Sequence, residues 1–105
     1  MRNKRKHLPI KNSQTNRIRA LLLNINEGIA VANTDFGIDK SEFCSYFLAL
    51  EQTGYILLKQ GAEQFSSTSY IILDIEKYDN LKNNAYRLIP KIILPVLSSY
   101  LTKQL

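Results

Sequence analysis

The chain has 105 residues, with 14 basic against nine acidic side chains, one histidine, one cysteine and no tryptophan. That length favours a single domain able to bury on the order of 60–70% of its unfolded surface, and a content of 45% hydrophobic and 22% charged residues argues against disorder through most of it. A lone Cys44 excludes an internal disulfide and a Cys-based zinc site. No apolar run resembling a signal peptide follows the basic start, and no stretch approaches the roughly 20 apolar residues of a spanning helix, so a cytoplasmic setting is expected.

The positive charge is unevenly placed. Residues 1–26 hold Arg2, Lys4, Arg5, Lys6, Lys11, Arg17 and Arg19 and no acid, whereas residues 27–105 hold seven basic and nine acidic side chains. Such asymmetry points to a basic arm seeking a polyanion, with a merely solubilising tail as the plainer reading. Residues 1–14 read as that arm, because their few apolar positions follow no period and Pro9 disfavours helix before it.

From residue 15 the pattern becomes helical. Thr15 or Asn16 can cap a helix on which Ile18, Leu21, Leu22 and Ile25 share one face, ending near Gly28. Residues 29–37 are ambiguous between a short helix and a short strand with a turn. Asp39 can then cap a second amphipathic helix, with Glu42 at the reciprocal capping-box position, and Phe43, Phe47 and Leu50 form its apolar stripe up to Gly54. Residues 55–59 and 70–74 are rich in Tyr, Ile and Leu and flank the polar stretch 60–69, which predicts a β-hairpin with a long tip. Residues 78–88 are helical in period, the run 88–97 is interrupted by Pro90 and Pro95, and 91–101 are apolar nearly all round.

Little in the chain supports catalysis. His7 lies in the arm with nothing to orient it, Cys44 sits mid-helix as an ordinary thiol, and no glycine-rich phosphate loop is present. Asp35, Asp39 and Glu42 gather near one helix start, where capping explains acids without a metal. No enzymatic activity, metal, cofactor or small-molecule ligand is expected.

The order of elements carries more information. The run from Gly37-Ile38 through the polar turn Asp39-Lys40-Ser41-Glu42 to the exit Leu50-Glu51-Gln52-Thr53-Gly54-Tyr55-Ile56 resembles the recognition-helix region of winged helix-turn-helix DNA-binding domains. The resemblance spans roughly residues 15–74. It implies a mostly helical α+β fold, with a three-helix core and a two-stranded wing over 15–76, followed by an apolar helical segment over 77–105. It also implies duplex DNA as partner, in a transcriptional regulator or a plasmid or phage accessory factor. Lys40, Ser41, Ser45 and Gln52 would then face the major groove, and Arg2, Lys4, Arg5, Lys6, Lys11, Arg17, Arg19, Lys59, Ser66 and Ser67 would meet the backbone and minor groove.

Two departures from the family pattern stand out. Asn33 occupies a position where the motif carries an apolar residue, and the proposed reading face has one cation against two acids and no arginine. The competing class is therefore an adaptor or inhibitor that uses the same fold to bind a protein. Attachment to a membrane surface through the arm and residues 91–101 is a third, weaker reading. In the C-terminal segment, Ile89, Ile92, Ile93, Val96, Leu97 and Tyr100 are too many apolar residues for one helix face, which predicts a two-fold homodimer built on them.

Overall fold

A computed structural model describes residues 13–58 and 71–102. Helix α1 (Gln14–Glu27) starts two residues before the expected position, because the Ser13 hydroxyl, rather than Thr15 or Asn16, accepts the Asn16 N–H at 3.2 Å. Its buried face is the expected one: Ile18, Leu21, Leu22 and Ile25.

The ambiguous stretch resolves into a single 3-10 turn, Asn33–Phe36, the short-helix side of the two readings left open by the sequence. Its ends are tied locally. The Asp35 carboxylate accepts the Ala32 N–H at 2.8 Å, and the Asn33 amide donates to the Ile38 carbonyl at 2.8 Å. The polar residue that departs from the motif thus braces the turn, closing it around Gly37, whose φ of 71° disfavours any side chain.

Helix α2 (Lys40–Gln52) is capped by Asp39, which accepts the Glu42 N–H at 2.8 Å. The reciprocal half of the expected capping box is replaced, since the Glu42 carboxylate turns away to a partner on α1. The chain then reverses at Gly54 (φ 89°), where a Cβ would stand only 2.9 Å from the Lys77 Nζ. Strands β1 (Ile56–Leu58) and β2 (Ile71–Leu73) pair antiparallel, with Ile56 opposite Leu73 and Leu58 opposite Ile71.

Helix α3 (Ile75–Asn83) begins and ends earlier than the expected 78–88, because Asp74 caps it rather than ending the strand. After it, Ala85 and Tyr86 both hold positive φ, at 56° and 61°, which stops the helix without a glycine. A π-helical turn, Ile89–Ile93, then leads into α4 (Leu94–Thr102). Pro95 has no N–H to donate and its ring crowds the carbonyl four residues back. The wider turn before it, closed by Leu94 N–H to Ile89 O, relieves that crowding.

The described residues are therefore mostly helical with one small antiparallel sheet, an α+β arrangement. One core joins all of it: Ile18, Leu21, Leu22, Phe43, Phe47, Leu50, Tyr78 and Leu81, together with Ile89, Ile93 and Leu97 of the C-terminal segment. The last three are fully buried within the single chain, which corrects their expected place in a dimer interface. They fill the core that α1 and α2 leave open. Among the described residues no helix is long and apolar enough to cross a membrane.

Candidate nucleic-acid interface

Helix α2 is the centre of the site, and its surface divides by residue size. Phe43, Tyr46, Phe47 and Leu50 are buried on one side, and Ser45 and Ala49, also fully buried, lie on another. At 100° per residue, the accessible remainder is one arc of about 120° holding Lys40, Ser41, Cys44, Leu48, Glu51 and Gln52. Lys40, Ser41 and Gln52 are exposed there, as a groove-reading helix requires. Ser45 is not: it has no accessible surface and its hydroxyl donates back to the Ser41 carbonyl at 3.1 Å. Its expected role in base reading is therefore corrected.

The cause of that burial is α4, the element in most extensive close contact with α2. The Tyr100 hydroxyl meets the Gln52 side-chain oxygen at 3.4 Å, so α4 lies along the side of α2 that carries Ser45 and Ala49. Two small residues four apart let the backbones approach. Sequence reasoning missed this contact because a serine in a helix reads as polar surface. The pair of small residues, set against an uncharged C-terminal segment, was the sign that could have found it.

At the other end of α2 the contact is polar. Arg17 of α1 donates from Nη1 to the Tyr46 hydroxyl at 3.0 Å and to Glu42 Oε2 at 3.4 Å, and Tyr46 donates to the same carboxylate at 2.8 Å. The Arg17 side chain is 12% exposed. A guanidinium so engaged is not offered to phosphate, which corrects its expected role. Burial, reinforced by the bond to Glu42, pushes the Tyr46 hydroxyl up to about 12, so it stays a donor through the physiological range.

Arg19 remains on the surface, its guanidinium stacked 4.1 Å from the centre of the Tyr86 ring. Lys77 caps the end of α2 through the Thr53 carbonyl at 2.8 Å and lies over Tyr55, while Lys82 pairs with Asp79 at 3.5 Å. Counted over the described residues, seven basic side chains face eight acidic ones. Arg2, Lys4, Arg5, Lys6, Lys11, Lys59, Ser66 and Ser67, together with most of the arm and the hairpin tip, lie outside the described residues.

Each acid near the start of α2 has its own local partner, and no group of three metal-ligating side chains occurs among the described residues. Of the six apolar residues expected to form a dimer face, Ile92 is exposed, Val96 and Tyr100 are half-buried, and the other three are core. Comparison with protein families, with characterised proteins and with solved structures gives no match, so the geometry above is the ground for a functional reading.

Proposed function

We propose that the protein binds duplex DNA as a winged helix-turn-helix module, in the manner of a small transcriptional regulator or a plasmid or phage accessory factor. The observation that carries the reading is where the basic arm joins the body. Arg17 holds the first turn of α1 against Glu42 in the first turn of α2, and the arm leaves α1 at Ser13, one helical turn or about 6 Å away. The attachment point of the arm, which holds five basic residues in the sequence, is thereby tied to the end of α2 that carries exposed Lys40 and Ser41, the end that enters a major groove in winged helices.

The described body, with its slight acidic excess, supplies little attraction for phosphate. Affinity then rests on Arg2, Lys4, Arg5, Lys6 and Lys11, with Lys40 and Ser41 presented to base edges and Arg19 at the margin. Five phosphate contacts give a salt slope of roughly −4 to −5 on logarithmic axes. Titration of labelled random-sequence duplex at two salt concentrations, with the full chain and with residues 1–12 removed, tests this. Binding that weakens broadly and loses most of its slope without the arm supports the proposal, and no binding by the full chain at 50 mM salt refutes it.

A second reading, a protein-interaction module of the same fold, is favoured by one observation. The C-terminal segment packed along α2 carries no charged residue from Ile92 to Thr102, as at the centre of protein–protein interfaces.

A further inference from the structure

Tyr86 holds a backbone conformation that bulky residues rarely adopt. It and Ala85 both take positive φ, at 61° and 56°, where the end of a helix commonly uses a glycine. Strain of this kind gathers at ligand clamps. The Tyr86 N–H donates to the Leu81 carbonyl at 2.9 Å, which fixes the turn, and the ring packs half-buried against the core.

The strained turn sets the Tyr86 ring under the Arg19 guanidinium, 4.1 Å from the ring centre. Arg19 is exposed, and its side chain makes no ion pair or hydrogen bond among the described residues. A guanidinium stacked by its face keeps its N–H edge open, and that edge grips two oxygens of a phosphate. Two more cations adjoin it. Arg87 follows Tyr86 directly, and Lys91 lies in the π-helical turn that packs against α1. Both are exposed with unpaired side chains. By contrast, Arg17, Lys77 and Lys82 are engaged with Glu42, the Thr53 carbonyl and Asp79. Glu27, the acid at the far end of α1, lies about 12 Å along the helix from Arg19 and makes no ion pair with it.

At 100° per residue, Arg19 points about 200° away from Arg17, the residue that faces α2. The two flanks of α1 stand one helix diameter apart, about 10–12 Å, and a major groove is about 12 Å wide. With the N-terminal end of α2 in the groove, the far flank of α1 comes level with a bordering phosphate strand. We infer that Arg19, Arg87 and Lys91 form a second phosphate-contact zone, in which Tyr86 is the positioning residue that holds the Arg19 donor edge toward the DNA backbone. This rests on the DNA-binding reading above and adds to it a contact borne by the folded body, separate from the arm. Backbone phosphate carries no sequence, so the zone raises affinity without preference.

Titration of labelled random-sequence duplex with the full chain, from about 50 to 200 mM salt, tests the inference. Arg19→Ala should weaken binding about three- to tenfold and flatten the logarithmic salt slope by roughly 0.9. Adding Arg87→Ala and Lys91→Ala should bring the loss of slope to roughly 2–3. Tyr86→Leu should reproduce the Arg19→Ala loss, whereas Tyr86→Phe keeps the ring and should keep the native slope. Combining Arg19→Ala with Tyr86→Leu should be no worse than either change alone, as the ring acts through Arg19. Arg19 is exposed, so its variant retains helical circular dichroism even where Tyr86→Leu does not. In spectra of the arginine side chains, the Arg19 Nε–H signal should move on adding duplex while that of Arg17 stays. No binding by the full chain at 50 mM salt removes the DNA-binding reading and this zone with it. A native chain that binds, beside a triple variant of undiminished affinity and slope, overturns the zone alone. Native binding by Tyr86→Leu overturns the positioning role.

Discussion

Toward α1 and the 3-10 turn, helix α2 presents wide aromatic side chains, with the Phe43 ring 5.8 Å from Phe36 and 5.0 Å from Phe47 and with Tyr46 bonded to Arg17. Toward α4 it presents Ser45 and Ala49, so the neighbouring backbone comes close, and the Tyr100 hydroxyl meets Gln52 across the seam. The first side is held by bulk and by a charged hydrogen-bond cluster. The second is held by close fit between small groups. The two ends of α2 are thus held differently: the N-terminal end is braced by polar groups to α1, while the C-terminal end packs along an α4 that carries no charge from Ile92 to Thr102.

Removing bulk from the aromatic side should have the largest effect. Phe47→Ala, at 1% exposure and in edge contact with Phe43, should lower stability to urea by about 3–5 kcal/mol, as a cavity in a small core. The opposite change is the matching probe of the other side. Ala49→Leu adds volume where α4 approaches and should cost about 1–3 kcal/mol by overpacking. A neutral Ala49→Leu would show that the seam has room to spare, contrary to the account.

These two sides also differ in how far they could be read from the chain alone. The stripe of Phe43, Phe47 and Leu50 announces itself by helical spacing, and the hairpin by its runs of Ile and Leu. Ser45 and Ala49 carry no hydropathy contrast, so nothing local marks them as a packing face. Arg17 and Glu42 stand 25 positions apart, and no periodicity links them, which is why Arg17 reads in sequence as one more cation of the arm. The start of α3 was obscured because Asp74 follows directly on Ile71–Leu73, where a strand and a capping residue share one run. The apolar excess of the C-terminal segment was legible as excess. Its division between core and surface was not, because that division depends on where α4 lands.

The polar end admits two finer probes. Arg17→Met keeps the aliphatic stem but leaves the Glu42 carboxylate with only the Tyr46 hydroxyl, and should cost about 1–3 kcal/mol in chemical denaturation. The Tyr46 hydroxyl has its titration raised from 10.0 to about 12 by burial and by Glu42. A raised value means that the folded state holds the proton more tightly, so this contribution is complete below about pH 10 and is lost as pH climbs through the interval to 12. Thermal midpoints measured across that interval should fall more steeply for the native chain than for Tyr46→Phe. Tyr55 and Tyr78, also raised by burial, leave a residual slope in the variant, and equal slopes would remove Tyr46 from the account.

The central proposal is that DNA meets the N-terminal end of α2, which Arg17 ties to the arm-bearing helix α1, and not the seam between α2 and α4. Amide chemical-shift mapping of the labelled chain against a short duplex separates the two directly. On this proposal, salt-sensitive shifts concentrate at Ser13–Arg17 and at Lys40, Ser41 and Cys44, with Pro95-flanking residues and Ser99 unmoved. Shifts confined to α4 and Gln52, or no shifts at low salt, would contradict it.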